Sequence, residues 1–311
     1  MTAVIKGTAA GHRLNRLATQ VSLGLAVVLI GVKLWAWAAT GSVALLTSGV
    51  DAMVDAGAAF ASFVGVRYAA QPADRDHRFG HGKAEAVAAF VQGMFLAGAA
   101  VALSLQSIGR LITPQPLTHL GFGLWVMLGS TLAAILLVAL QSFVTARTGS
   151  TAVAADRAHY LTDIAVNLAA LAALAVTAKT GWDRADPGFA FAISVYMLWN
   201  AKGIAGHALK QLLDQELPDA ARQRIREAVL KCAEVRAIHD LRSRDAGDRV
   251  FVEFHLEVDG DLTVTHAHAI SDRVEAAVAA LFPTSAEIVV HIEPAGIADR
   301  RLDDAVRDEE I

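Results

Sequence analysis

The chain has 311 residues, of which 54% are hydrophobic and 19% are charged, and this composition indicates a polytopic membrane protein, not a soluble enzyme. Its net charge of −4 is too small to argue for or against nucleic acid, but the lack of a basic stripe with interleaved aromatic residues excludes nucleic acid as an expected partner. A single cysteine, Cys232, excludes an intramolecular disulfide framework and any Cys-x-x-Cys metal motif.

Six apolar runs of membrane-spanning length can be placed before residue 210. A hydrocarbon core of about 30 Å requires about 20 apolar residues in a helix, and the runs cover approximately 17–39, 43–66, 86–108, 121–144, 154–178 and 189–209. Lys and Arg are concentrated in the N-terminal segment and in the second and fourth connections. The positive-inside rule places these segments in the cytoplasm. We therefore predict six transmembrane helices with both termini in the cytoplasm.

Two of these runs carry metal-competent side chains one helical turn apart. Asp51 and Asp55 lie in the second run, and His159 and Asp163 lie in the first part of the fifth. Residues i and i+4 share a helix face, and the two helices are antiparallel, so Asp55 is expected level with His159 and Asp51 level with Asp163. Three oxygens and one nitrogen suit tetrahedral Zn²⁺. Polar contacts between helices are the alternative explanation, although a charge at membrane depth costs about 2.5–3.5 kcal/mol.

After residue 209 the pattern changes to that of a soluble domain. Helices are predicted over 218–232 and 268–282, and strands over 235–242, 249–259 and 287–293. In the second strand, apolar residues from Val250 to Val258 alternate with Glu253, His255 and Glu257, which is typical of a half-buried strand. The order α-β-β-α-β predicts a small α+β domain of ferredoxin-like character over 210–296. The charged segment 297–311 is predicted to be a disordered tail.

Two further groups of residues have the composition of metal ligands. Asp74, His77 and His81 lie close together in the loop after the second run, a spacing that fits one ion but equally fits a solvated loop. In the soluble domain, His291 and Glu293 share one strand face, and His255 points to the polar face of a neighbouring strand.

Five motifs are distributed over residues 10–296. They are SGVDAMVDAG (48–57), QPADRDHRFGHGKAEAVAAF (71–90), DRAHYLTDIAVN (156–167), LLDQELPD (212–219) and VVHIEP (289–294). Together they resemble the cation diffusion facilitator family, in its bacterial ferrous-iron and zinc efflux branch. In that branch, Asp-x-x-x-Asp on the second helix and His-x-x-x-Asp on the fifth form the transport site, and both patterns are matched here.

The resemblance implies a secondary active transporter and not an enzyme. It implies a six-helix membrane domain over 1–209 and a cytoplasmic metal-binding and dimerisation domain over 210–296. The protein would be a homodimer in the lipid of the bacterial inner membrane. It would exchange a divalent cation for protons, with Zn²⁺ as the principal ion and Fe²⁺ and Cd²⁺ as further candidates.

The resemblance also bears on the two smaller ligand groups. It favours a second metal site at the loop, and it adds His239 and His268 to His255, His291 and Glu293 as a cytoplasmic site at the dimer interface, where Zn²⁺ would be structural or regulatory. One departure is that the branch usually has Asp where Glu293 stands, and the preceding polar position is Ile292 here. This difference weakens the case for a fully bridged two-metal site.

A divalent cation channel and an intramembrane metalloenzyme are the alternatives. The chain contains no His-Glu-x-x-His, and four protein ligands leave no position for an activated water. A closed tetrahedral cage would hold an ion too tightly for rapid conduction. Because metal ligands must lose their protons to bind, one site with access alternating between the two membrane faces is enough for proton antiport.

Overall fold

The computed structural model describes residues 7–40, 43–113, 121–180, 182, 184–282 and 284–296. The chain divides into two compact units, the first over Ala9–Leu209 and the second from Lys210 onward together with Gly7 and Thr8. The tail predicted over 297–311 lies outside the described residues.

Six long helices form the first unit in the described part of the chain. They are α1 (Ala9–Thr40), α2 (Val43–Ala69), α3 (Ala84–Ile112), α4 (Gly121–Thr148), α5 (Thr151–Thr180) and α6 (Ala185–Leu212). Each contains one predicted apolar run and extends beyond it, as α1 does by including Arg13 and Arg16. Hydropathy locates the apolar section of a helix, whereas the backbone hydrogen bonds continue into its polar ends.

Three of the described helices are long and apolar enough on their own to cross a membrane. They are α1 over Ala9–Ala38, α3 over Ala84–Ile112 and α4 over Met127–Thr148. Helix α5 carries Asp156, Arg157, His159 and Asp163 in its first half. The six predicted apolar runs thus lie in six helices, and among the described residues three of these helices have the length and hydropathy of a membrane span.

Small residues allow close approach of the helices in this unit. A Cβ atom on Gly65 of α2 would lie 2.4 Å from the Cβ of Ala88 and 3.0 Å from the carbonyl oxygen of Ala84, both on α3. A Cβ atom on Gly93 of α3 would lie 3.2 Å from the backbone nitrogen of Ala205 on α6. Such contacts are typical of helices in lipid, where apolar burial between helices supplies little driving force.

The second unit has the predicted order of elements. These are α7 (Asp219–Leu230), β1 (Val235–Asp245), β2 (Arg249–Val258), α8 (Val264–Ala279) and β3 (Ser285–Pro294). The sheet order is β1-β2-β3, with β1 and β2 antiparallel and β2 and β3 parallel. Helix α8 begins earlier than predicted because the Thr263 side chain accepts a hydrogen bond from the backbone N–H of His266, as an N-cap residue does.

The core of this unit lies between the sheet and its two helices. Phe254 and Leu256 of β2 are almost fully buried against Ile225 of α7 and Ile270 and Val274 of α8. This confirms the predicted alternation of β2, whose apolar residues face the helices. The opposite face of the sheet carries Glu253, His255 and Glu257 of β2.

Candidate metal centres

The first candidate centre lies between α2 and α5. His159 Nε2 is 3.0 Å from Asp55 Oδ1 and 3.9 Å from Asp163 Oδ2, and one ligand atom from each residue lies within 4.8 Å of the others. His159 is only 5% exposed. Asp55 and His159 are therefore adjacent, as antiparallel helices predict. Asp51 lies on α2 one turn before Asp55, but its side chain is outside the described part of the structure.

Charge and ligand type at this centre fit a divalent cation. The two described carboxylates balance two positive charges, and the imidazole supplies a borderline nitrogen ligand suited to Zn²⁺ or Fe²⁺. His159 Nδ1 is buried and has no hydrogen-bond partner among the described residues.

The second candidate centre lies in the connection between α2 and α3. Asp74 contacts two imidazoles, with Oδ1 3.2 Å from His77 Nδ1 and Oδ2 3.3 Å from His81 Nε2. The backbone N–H of His77, 2.7 Å from Oδ1, and that of Asp76 hold the pKa of Asp74 below its ordinary value. His81 is 5% exposed, and its ring packs edge-on against Tyr68. The carboxylate is therefore charged and ready to bind at neutral pH.

The third candidate centre is a row of histidines across the sheet. His239 on β1 pairs with His255 on β2, which pairs with His291 on β3. Glu293 joins all three, with Oε1 2.9 Å from His255 Nδ1 and 3.3 Å from His291 Nε2, and Oε2 3.3 Å from His239 Nε2. The strand register thus gathers four of the five predicted cytoplasmic ligands on one face.

The fifth predicted ligand, His268, is not brought to this row. It lies on α8 with most of its side chain exposed, and its Nε2 is 3.8 Å from Asp272 Oδ1. No contact in the described part of the chain connects His268 with the row of histidines.

Sequence reasoning missed two carboxylates at the third centre. Glu257 Oε1 lies 3.3 Å from His239 Nδ1. Glu257 follows His255 by two residues on β2 and so shares its polar face, which could have identified Glu257 as a candidate ligand. Asp240 groups with His239 and His255 because of a bulge in β1 between His239 and Arg242. Asp240 has φ 51° there, a local backbone feature that the strand pattern does not reveal.

Two solved structures are similar to part of this chain. The zinc form of CzrB is 39% identical, with a TM-score of 0.26, and the match covers 28% of this chain and 99% of that one. The metal-bound C-terminal domain of the CzcD transporter from Thermotoga maritima is 25% identical, with a TM-score of 0.25, over 26% of this chain and 93% of that one.

Comparison of sequences covers nearly the whole chain. Residues 19–213 match the cation efflux transmembrane domain, and residues 217–295 match the cytoplasmic domain of cation efflux proteins. The cation-efflux pump FieF of Escherichia coli strain K12 is 41% identical over 288 residues, which are 93% of this chain and 95% of that protein. FieF of Escherichia coli strain HS matches to the same extent. The chain has a helical transmembrane domain and a cytoplasmic domain with a small sheet, and it belongs to the cation efflux, or cation diffusion facilitator, family of membrane transporters.

Proposed function

We propose that this cation efflux protein exports divalent cations, principally Zn²⁺, in exchange for protons. The observation that carries the proposal is the convergence of Asp55, His159 and Asp163 from two helices of the membrane domain. Asp51, one turn from Asp55 on the same face of α2, is the fourth ligand. Helices α1 to α6 all cross the membrane, and both termini lie in the cytoplasm.

The coupling to protons follows from the chemistry of these ligands. Carboxylates and imidazole must be deprotonated to bind a metal ion, so binding releases protons. When the site faces the cytoplasm it exchanges protons for the cation, and when it faces outward it exchanges the cation for protons. One site and two helix arrangements are enough for this cycle.

The ligand set also favours certain ions. Three carboxylate oxygens and one imidazole nitrogen form a harder site than one with two imidazoles, so it discriminates less strongly between Zn²⁺ and Fe²⁺ and also accepts Cd²⁺. We assign these ions as the cargo of the membrane site.

The two remaining centres lie outside the transport site. We assign a second exchangeable ion to Asp74, His77 and His81. The domain over 210–296 binds Zn²⁺ through its row of histidines and holds two copies of the chain together as a homodimer. We place the protein in the bacterial inner membrane, with residues 1–209 as the transport domain.

Removing one ligand tests the transport site. Asp163→Ala should abolish Zn²⁺ transport into proteoliposomes while the protein still folds and inserts, because the remaining ligands cannot complete the coordination shell. Thr162→Val is the matched control, since among the described residues the Thr162 hydroxyl donates to the carbonyl oxygen of Ala158 in its own helix. Transport by Asp163→Ala at the wild-type rate would contradict the assignment.

A further inference from the structure

A second buried polar cluster lies beside the candidate transport site. Asp156 of α5 is 1% exposed. Its Oδ1 accepts a hydrogen bond of 2.9 Å from Gln92 Nε2 of α3, and its Oδ2 accepts one of 2.6 Å from Gln141 Nε2 of α4. Both glutamines are also almost fully buried.

Gln92 differs from Gln141 in one contact. Its Nε2 also donates to the carbonyl oxygen of Ala58 on α2, at 3.1 Å. Because both neighbours of this nitrogen are acceptors, the orientation of the Gln92 amide is fixed by chemistry. One side chain of α3 therefore links α2 directly to α5.

The position of this link relates it to the transport site. Ala58 follows Asp55 by three residues on α2, and Asp156 precedes His159 by three residues on α5. Since the helices are antiparallel, both displacements point to the same membrane face and amount to about 4.5 Å along the axis. The link thus joins the two ligand-bearing helices one turn away from the contact between Asp55 and His159.

We propose that Gln92 is a positioning residue of the transport site. It holds α2 and α5 at the spacing at which Asp55, His159 and Asp163 reach one ion, and it touches no ion itself. This inference rests on the proposed function, because it assumes that the cluster around His159 is where the cargo binds.

A matched pair of variants tests the inference in the full-length protein. Gln92→Met and Gln141→Met each replace an amide with an apolar side chain of similar size, and each removes one hydrogen bond to Asp156. Only Gln92→Met also removes the link to α2. We expect both variants to melt at a lower temperature than the wild type. In proteoliposomes we expect Gln92→Met to raise the KM for Zn²⁺ by about 10-fold, the lower end of the effect of losing a direct partner of a metal ligand, because Gln92 acts on the ligands only through the spacing of their helices. We expect kcat to be less affected.

Gln141→Met should keep the wild-type KM. Equal rises in KM in both variants, or a wild-type KM in Gln92→Met, would overturn the inference, because the cluster would then be a structural contact only. If Gln92→Met does not insert, Gln92→Asn replaces it: the shorter amide reaches one acceptor and not both, so the KM should again rise. If the wild-type protein shows no saturable Zn²⁺ transport, the proposed function and this inference fail together. If the wild-type protein shows saturable Zn²⁺ transport, and Gln92→Met and Gln141→Met have the same KM, only the inference fails.

Discussion

Each candidate centre pairs a histidine with a carboxylate. The closest contacts are His159 with Asp55 at 3.0 Å, His77 with Asp74 at 3.2 Å, and His255 with Glu293 at 2.9 Å. Such a pair fixes the orientation of the imidazole before an ion arrives. A cation that takes both groups as ligands must displace any proton they share, so the same contact that orders the site also couples it to protons.

The cytoplasmic row of histidines gives a prediction about a single residue. A fragment over 210–311 contains the whole core of the second unit, so its melting can be measured alone. Zn²⁺ should raise its melting temperature, because binding to the folded state stabilises by about 2.7 kcal/mol when the ion is present at 100 times Kd. His255→Ala should remove most of this rise.

His266→Ala is the control for that experiment. His266 lies outside the row and pairs with Glu234 at 2.8 Å, a contact that lowers the pKa of Glu234. The fragment with His266→Ala should keep the full response to Zn²⁺. An equal response in His255→Ala and the wild type would mean that the row does not bind the ion.

At the scale of elements, the membrane domain is held by close approach of helices and by buried polar contacts. Asn15 of α1 donates to Glu85 Oε1 of α3 at 3.2 Å, and Ser150, in the connection between α4 and α5, donates to Glu85 Oε2. Polar contacts between helices in membranes contribute about 0.6 kcal/mol on average. Single contacts of this size allow helices to change partners, as the proposed alternation of access between the two membrane faces requires.

The close crossing of α2 and α3 gives a prediction about stability. Gly65→Ala should lower the melting temperature of the detergent-solubilised protein, because the new Cβ would meet Ala88 at 2.4 Å and overpacking costs about 1–3 kcal/mol. Gly98→Ala in α3 is the control, since a Cβ there meets no atom within 4 Å among the described residues. A melting temperature for Gly65→Ala at or above that of Gly98→Ala would contradict the tight crossing.

The periodicity of apolar residues predicted the helices and strands. It predicted a contact between two side chains only where the spacing of both followed from the same periodicity. The adjacency of Asp55 and His159 followed from paired spacing on antiparallel helices. His255 and His291 followed from strand alternation, whereas His239 came only from family resemblance. The link between Gln92 and Asp156 spans 64 residues, and a glutamine within an apolar helix does not indicate its partner.

At the scale of the whole molecule, the chain separates transport from assembly. The membrane domain contains the deeply buried His159, and the cytoplasmic domain has its own core and its own ligand row. This separation predicts that substitutions in the cytoplasmic row change stability and dimerisation more than the proposed coupling of cation to protons, which we assign to the membrane site.

The most direct test of the central claim is steady-state Zn²⁺ accumulation in proteoliposomes under an imposed pH gradient, with the membrane potential clamped. Proton antiport predicts that an acidic lumen drives Zn²⁺ inward above its external concentration, that reversing the pH gradient reverses the accumulation, and that Asp163→Ala removes both effects. A Zn²⁺ distribution that equilibrates to the same level whatever the pH gradient would contradict antiport and indicate a channel.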